Sequence, residues 1–520
     1  MDEPQSGQEN NDGESRPNDS RPEEDSAKEN GEGEAGTKEP YDSLDRQHTI
    51  RVVLISIGAA VGGFIFGFDS SVINGAIEAV TGQFDLSPVI TGFVVAISLI
   101  GAAIGAWFGG PVANKWGRTR VMLIVGILFL LGSLGSGFAF AAWDLAAWRV
   151  VGGLSIGAAS AIVPSYISEI SPPRLRGRLT SLQQLAIVLG IFVALLLDDL
   201  FAGAAGGADQ QLWFGLDAWR WMFLAGVIPA VLYGVLALRL PESPRSLVAN
   251  GDVERATKVL GHVHGRSEEE TETLVQSIRK SIRSDSKPSF SDLRGGTLGL
   301  VPIVWVGVVI AAFQQLVGIN VIFYYSNSLW RSVGFSSEFA SNASVITAVT
   351  NIVITIVAVF LIDKVGRRPL LLVGSAGMTV SLVLMAIAFT QSAMVDGEPQ
   401  LPQPWGPVAL VAANAFVVFF AVSWGPVMWT LLGEMFPNQI RGLAVGIATA
   451  VNWLANFAVT VTFPALSEMS LPFTYGMYAF FALASLVFVF FEVPETKNVP
   501  LEKMSDRYKR QRRKADQPTG

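Results

Sequence analysis

The sequence predicts an all-α membrane protein of twelve transmembrane helices arranged as two pseudo-symmetric six-helix halves. Three observations carry this: a shortage of charge, twelve apolar stretches of spanning length, and short motifs that recur once in each half. Of 520 residues, 50% are hydrophobic and 16% charged, with mean hydropathy +0.42. A soluble domain carries about 25% charged residues, so this chain has too few polar groups to cover a water-facing surface. That excludes an ordinary soluble enzyme, a nucleic-acid binder and a disordered scaffold. The chain has no cysteine, which excludes disulfides, thiolate metal sites and cysteine catalysis. Its three histidines, His48, His262 and His264, all lie in polar segments, so no imidazole metal cluster is expected within the membrane. No nucleophile–base set stands out, and no enzyme activity or resident cofactor is expected.

Residues 1–45 hold 15 Asp/Glu against four Lys/Arg and almost no large apolar side chains. This is the composition of a solvated, disordered tail. It lacks the apolar core of a signal peptide. The remaining chain, with 33 Lys/Arg and 29 Asp/Glu, is mildly basic. Apolar segments follow at 52–77, 89–110, 121–142, 147–168, 179–197 and 219–240, making an N-terminal half over 46–240. A polar linker, 241–297, carries GDVERATKVL and EEETETLVQSIRKSI, which read as short amphipathic helices. Six further apolar segments, 298–326, 341–362, 370–391, 405–432, 442–466 and 474–492, make a second half over 298–495. A basic tail, 496–520, closes the sequence.

Alternate loops collect the basic residues. Lys115, Arg118 and Arg120 follow segment 2, and Arg174, Arg176 and Arg178 follow segment 4. Lys364, Arg367 and Arg368 follow segment 8, Arg441 follows segment 10, and the final tail is basic from Lys497 to Lys514. Arg331 is the exception, and Arg220 sits at a segment edge. By the positive-inside rule both termini face the cytoplasm, and an even segment count agrees. The halves also repeat. NKWGRTR (114–120) answers DKVGRRP (363–369). Glu169 precedes Arg176-Gly177 by seven residues, as Glu434 precedes Arg441-Gly442. PES (241–243) answers PET (494–496). The offsets are 249, 265 and 253 residues, each after the corresponding segment. Duplicated six-helix halves suit transporters that rock about a central site.

These motifs resemble those of the major facilitator superfamily, and within it the sugar porter family, over about residues 50–500. The markers are GFDSSVING (67–75), GGPVANKWGRTR (109–120), PSYISEISPPRLRGRL (164–179), PESPR (241–245), QQLVGIN (314–320), DKVGRR (363–368), GPVMW (425–429), GEMFPNQIRG (433–442), NWLAN (452–456) and PETKN (494–498). Asn114 stands where the family loop has Asp, and Asn498 where it has Gly. Asn114 keeps the ability to cap a helix N-terminus but lacks the negative charge. The resemblance implies a membrane transporter for a small sugar, working as a monomer in the cell membrane.

Charges inside spans are expensive, about 2.5–3.5 kcal/mol each on insertion scales. Only Asp69 and Arg149 fall well within the predicted segments. Asp69 lies 17 residues beyond Val52, roughly 26 Å along a helix. Arg149 lies near the opposite start of segment 4, so the two share a depth and are expected to pair. Two roles are open: a proton site whose protonation releases Arg149, or a static tie between helices. An acid at this position resembles the proton-coupled sugar porters, where passive members carry a neutral residue; the coupling ion is then a proton, with sodium less favoured.

A sugar presents hydroxyls and apolar ring faces, and amides match hydroxyls because each both donates and accepts. Gln184, Gln314, Gln315, Asn320, Asn351 and Asn452 lie in the spans, with Trp429, Phe66 and Tyr324 as aromatic walls. By resemblance these are sugar-contacting positions; the alternative is that membrane amides glue helices together. Gly318 and Gly425-Pro426 mark places for helix breaks. Asn114, Arg118, Glu169 and Arg176, with Asp363, Arg367, Glu434 and Arg441, form a candidate cytoplasmic gate of inter-helix ion pairs. The alternative there is topology-setting charge alone. The glycine runs GGPVANK and GGLSIGAAS lack a GK[ST] ending and read as helix packing, so transport is expected to be secondary. The sequon at Asn342 reads as incidental. A proton–monosaccharide symporter is the leading expectation, with a passive uniporter and a non-transporting sugar sensor as rivals.

Overall fold

The computed structural model of the chain describes residues 46–284, 293–295, 299–395, 398–436 and 440–497. The acidic tail 1–45, part of the linker and most of the basic tail, Asn498 included, lie outside the described residues. Among the described residues, twelve helices or helix pairs are long and apolar enough to cross a membrane. The N-terminal half contains α1 (Arg46–Gln83), α2 (Pro88–Trp116), α3 (Arg118–Gly137), α4 (Ala142–Ile170), α5 (Pro173–Ala205), α6 (Ala218–Leu224) and α7 (Val227–Arg239). The linker holds α8 (Pro244–Ala249), α9 (Val253–His264) and α10 (Glu268–Ser284). The second half contains α11 (Pro302–Leu316), α12 (Ile319–Tyr324), α13 (Ser326–Arg331), α14 (Ser337–Val365), α15 (Arg367–Thr390), α16 (Trp405–Val422), α17 (Trp424–Met435), α18 (Arg441–Met469) and α19 (Leu471–Glu492). Two short antiparallel hairpins, Gln211–Trp213 with Leu216–Asp217 and Ala393–Val395 with Glu398–Gln400, join α5 to α6 and α15 to α16.

Three segments that read as continuous apolar runs are broken helices. Pro229 and Pro426 have no N–H for the carbonyls four residues back, Ala225 and Val422, and the chain breaks there. The α6–α7 break falls at Ala225-Gly226, and the α16–α17 break at Ser423, two residues before Gly425. Segment 7 breaks at Gly318, whose φ of +84° favours glycine, and again at Tyr325 before α13.

The linker helices carry their own small apolar cluster of Leu247, Val248, Ala256, Leu260 and Val275. Ser243 caps α8 through Ser246 N–H, and Asp252 caps α9 through Arg255 N–H. Within the first half, α1 packs along α5 and α2 along α4; in the second, α15 packs on α19 and α11 on α18. The α1–α5 approach is close: a Cβ on Gly67 would stand 1.9 Å from the Ile187 carbonyl oxygen.

The halves meet through α2 with α18, α5 with α14, and α1 with α12 and α13. Ala96, Leu99 and Ala102 pack with Trp453, Phe457 and Val461. At the end away from the basic loops, Asn327 N–H donates to Asn74 Oδ1 at 3.2 Å, and Arg331 pairs with Glu78. Arg331, the exception to the charge pattern, thus ties α13 to α1 across the two halves.

Candidate transport site

Asp69 on α1 and Arg149 on α4 meet across the helix interface, as expected. Arg149 Nη1 donates to Asp69 Oδ2 at 3.0 Å and to the Asp69 carbonyl at 3.2 Å, while Nη2 donates to Ser98 Oγ at 3.1 Å. Both side chains are buried, at 1% exposure for Arg149 and 11% for Asp69. Charges so removed from water persist together because each offsets the other's desolvation. The Phe223 ring lies under the guanidinium, 5.8 Å from its centre.

Four of the six amides singled out from the sequence join in one network. Gln315 Nε2 donates to Asn452 Oδ1 at 3.1 Å, and Asn452 Nδ2 donates to Gln314 Oε1 at 2.7 Å. Asn320 Nδ2 donates to Gln315 Oε1 at 2.7 Å. Two backbone carbonyls anchor the set: Gln314 Nε2 donates to Trp424 O and Asn452 Nδ2 to Ala311 O. The helix break at Gly318 is what lets Asn320 on α12 turn back onto Gln315 on α11. Gln184 is half-buried and Asn351 buried, and neither joins this network. Phe66 stacks obliquely on Trp453 across the halves, with ring centroids 5.4 Å apart. The Tyr324 hydroxyl lies within reach of Asn456 and of Ser70, the residue after Asp69. Trp429 is exposed. Trp424, which the sequence reading passed over, is buried, and its Nε1 donates to Ser375 Oγ at 2.9 Å.

The basic loops form two matching constellations, each inside one half. Arg118 Nε and Nη2 donate to Glu169 at 3.1 and 3.0 Å; Arg367 Nε and Nη2 donate to Glu434 at 3.0 and 2.8 Å. Glu242 accepts the N–H groups of Arg118 and Thr119 at the start of α3, and Glu495 those of Arg367 and Arg368 at the start of α15. A carboxylate at a helix N-terminus meets unpaired donors and a favourable dipole. Burial pushes the Glu495 carboxyl up, but N–H groups of Lys497, Arg367, Arg368 and Thr496 outweigh it and hold it below the usual range. Ser243 and Thr496 hydroxyls complete the sets by donating to Glu169 and Glu434. Gly117 and Gly366, with φ of +98° and +108°, are needed because a Cβ there would strike Glu242 or Glu495.

The expected inter-helix ion pairs form, each joining two helices of one half, and the geometry corrects the expected gate in two respects. Arg441 donates instead to the Phe436 carbonyl at 3.1–3.2 Å. Asn114 caps no helix: it is exposed in the last turn of α2, because α3 starts four residues later with Glu242 on its first N–H groups. The side chains of Arg176 and Asp363 lie outside the described residues.

A match to the family described as Sugar (and other) transporter spans residues 55–508. The chain belongs to this family. It is 50% identical over 455 residues to a glucose transport protein of Synechocystis sp., covering 87% of this chain and 97% of that one. It is 33% identical over 496 residues to a D-xylose-proton symporter of Escherichia coli, covering 89% and 97%. A partially occluded inward open structure of the E. coli xylose transporter XylE superposes with a TM-score of 0.74 at 31% identity, over 87% of this chain and all of that one. The protein is therefore a multi-pass membrane protein with the major facilitator fold.

Two members of the site carry little sequence signal. Trp453 follows Asn452 in NWLAN yet reads as packing, and Ser98 is one serine among many. Asp198 corrects the expectation that Asp69 and Arg149 are the only span charges. It is buried in α5 just past the predicted end at 197, where Oδ2 accepts Gly75 N–H at 3.1 Å, and no ion-pair partner faces it among the described residues.

Proposed function

We propose that this family member imports a monosaccharide by proton symport, by alternating access of the two halves. The single observation that carries the reading is the buried Asp69–Arg149 pair set beside an amide network that bridges α11, α12 and α18. Protonation of Asp69 cancels its charge and frees Arg149; loss of the proton restores the pair. A sugar hydroxyl entering the amide network exchanges donor and acceptor partners without any charge being buried. The basic loops and both termini face the cytoplasm, in the cell membrane. In that orientation the Glu78–Arg331 and Asn74–Asn327 contacts hold the two halves together on the outer side. Relatives named for glucose, D-xylose and arabinose, two of them as proton symporters, support a hexose or pentose as cargo. The protein acts as a monomer, since both halves of the site lie in one chain.

The test is sugar uptake into proteoliposomes, with imposed pH and sodium gradients varied separately and the external pH recorded. Symport alkalinises the bath when the right sugar is added and follows the pH gradient alone. Equilibration without a pH change refutes proton coupling and leaves passive uniport.

A further inference from the structure

Between the ion pair and the second half lies a small, largely enclosed cavity with about 10 Å³ of free volume, lined by Ser70, Ser98 and Arg149 from one half and Tyr324 and Trp453 from the other. That is about the least space that holds a single water, which also needs two to four polar partners. Two lining residues each have a buried N–H with no hydrogen-bond partner: Arg149 Nε and Trp453 Nε1. The other guanidinium nitrogens are spent on Asp69 and Ser98. Trp453 is 4% exposed and packs obliquely on Phe66, so bulk water does not satisfy its indole. Buried donors without partners are rare in folded proteins, and these two lie on the wall of one water-sized cavity that carries three hydroxyl-bearing side chains, Ser70, Ser98 and Tyr324, beside five apolar ones.

We propose that one water molecule occupies this cavity, accepting from Arg149 Nε and Trp453 Nε1 and donating to the Ser70 and Tyr324 hydroxyl oxygens. Two lone pairs meet two orphan donors, and the hydrogens face the Ser70 and Tyr324 hydroxyls, which lie within reach of each other. The bridge spans the halves, because Arg149 and Ser70 belong to one and Trp453 and Tyr324 to the other. Trp453 adjoins Asn452 of the amide network, so the water joins the proton-bearing pair to the sugar-facing helix. It forms only while the halves are together at this level, and parting them breaks it. The presence of the water rests on packing alone; its part in coupling rests on the symport proposed above.

Two measurements separate these claims. A structure of the purified wild-type protein at a resolution that shows ordered solvent is expected to hold a peak about 2.7–3.2 Å from both nitrogens, and Trp453→Phe, which keeps a ring but removes the N–H, is expected to lose it. A dry cavity, or either nitrogen bonded to a protein acceptor, overturns the site. In proteoliposomes, Trp453→Phe is expected to lower proton-driven accumulation at least fivefold more than it lowers sugar counterflow, with Ser70→Ala changing in the same direction. Accumulation equal to wild type in both variants overturns the coupling role. Should wild type itself fail to accumulate sugar, the symport reading and the coupling role fall together, and the solvent peak still decides the site.

Discussion

Replacing Asp69 by Asn tests the centre of the mechanism. The substitution keeps the shape and an acceptor for Arg149 Nη1 at the present 3.0 Å, while removing the charge and the titration. Breaking a buried pair by deleting one partner costs about 3–5 kcal/mol. Here the loss falls toward the lower value, because Arg149 keeps the Asp69 carbonyl at 3.2 Å and Ser98 Oγ at 3.1 Å. The chain therefore folds with a reduced melting temperature, held in the equivalent of its protonated state. A proton crossing 100 mV releases about 2.3 kcal/mol, which at 1.4 kcal/mol per decade supports roughly 45-fold accumulation. Each unit of pH gradient adds about another tenfold. Proteoliposomes with wild type are expected to approach that ratio under a potassium diffusion potential. Asp69→Asn is expected to fall to a ratio of about one while exchanging labelled for unlabelled sugar within a few-fold of wild type. Uphill accumulation by the Asn variant would refute the assignment of Asp69, whatever its melting temperature.

Gly67→Ala forces a Cβ to 1.9 Å from the Ile187 carbonyl, so α1 and α5 must separate; overpacking of this kind costs about 1–3 kcal/mol or more, and an unchanged thermal melt in detergent would contradict the packing. Glu169→Gln and Glu434→Gln each weaken one charge-assisted bond set, the first more strongly because its carboxylate is 10% exposed against 33%. As the two sets lie in different halves, their melting penalties should add within about 0.5 kcal/mol; strong non-additivity would mean a shared lock. Gln315→Ala strands Asn320 and Asn452, and a loss of about 1–3 kcal/mol from unpaired buried groups predicts a five- to hundredfold rise in KM for the transported sugar, with an unchanged KM counting against the network as the sugar site. His264, in the linker, donates through Nε2 to the Ile170 carbonyl at 2.9 Å. Burial holds its imidazole below the ordinary value, against that bond and assisted by Arg266 and His48. A lowered folded-state value means the unfolded chain takes up the proton more readily, so this contribution is present above about pH 6.5 and lost as the pH falls through the folded-state value. Melts of wild type and His264→Gln compared at pH 7.5 and 5 should converge toward acid; a constant gap would contradict the shift.

The duplicated motifs show how far a sequence pattern reaches toward a site. The repeat of GR, Glu and PES/PET at one approximate period was readable as symmetry. Its meaning was not: a carboxylate from the third motif binds the helix start in the first, over 124 residues in one half and 128 in the other. The arginine seven residues past Glu434 takes no part in that pairing: Arg441 turns to the Phe436 carbonyl. Of the amides, Gln314, Gln315, Asn320 and Asn452 were legible because motif and residue type agree. Trp453 and Ser98 were not, because a buried indole and a serine acquire a role only from the groups across the helix interface.

The sequence by itself determined the number of spans, their alternation of basic loops, the twofold repeat and the residue types able to face a sugar. These depend on local composition and on hydrocarbon thickness, and both are written along the chain. Only the tertiary structure decided which carboxylate meets which guanidinium and at which end the halves touch. Those outcomes depend on contacts between residues more than fifty positions apart, where many pairings satisfy the same pattern and packing selects one.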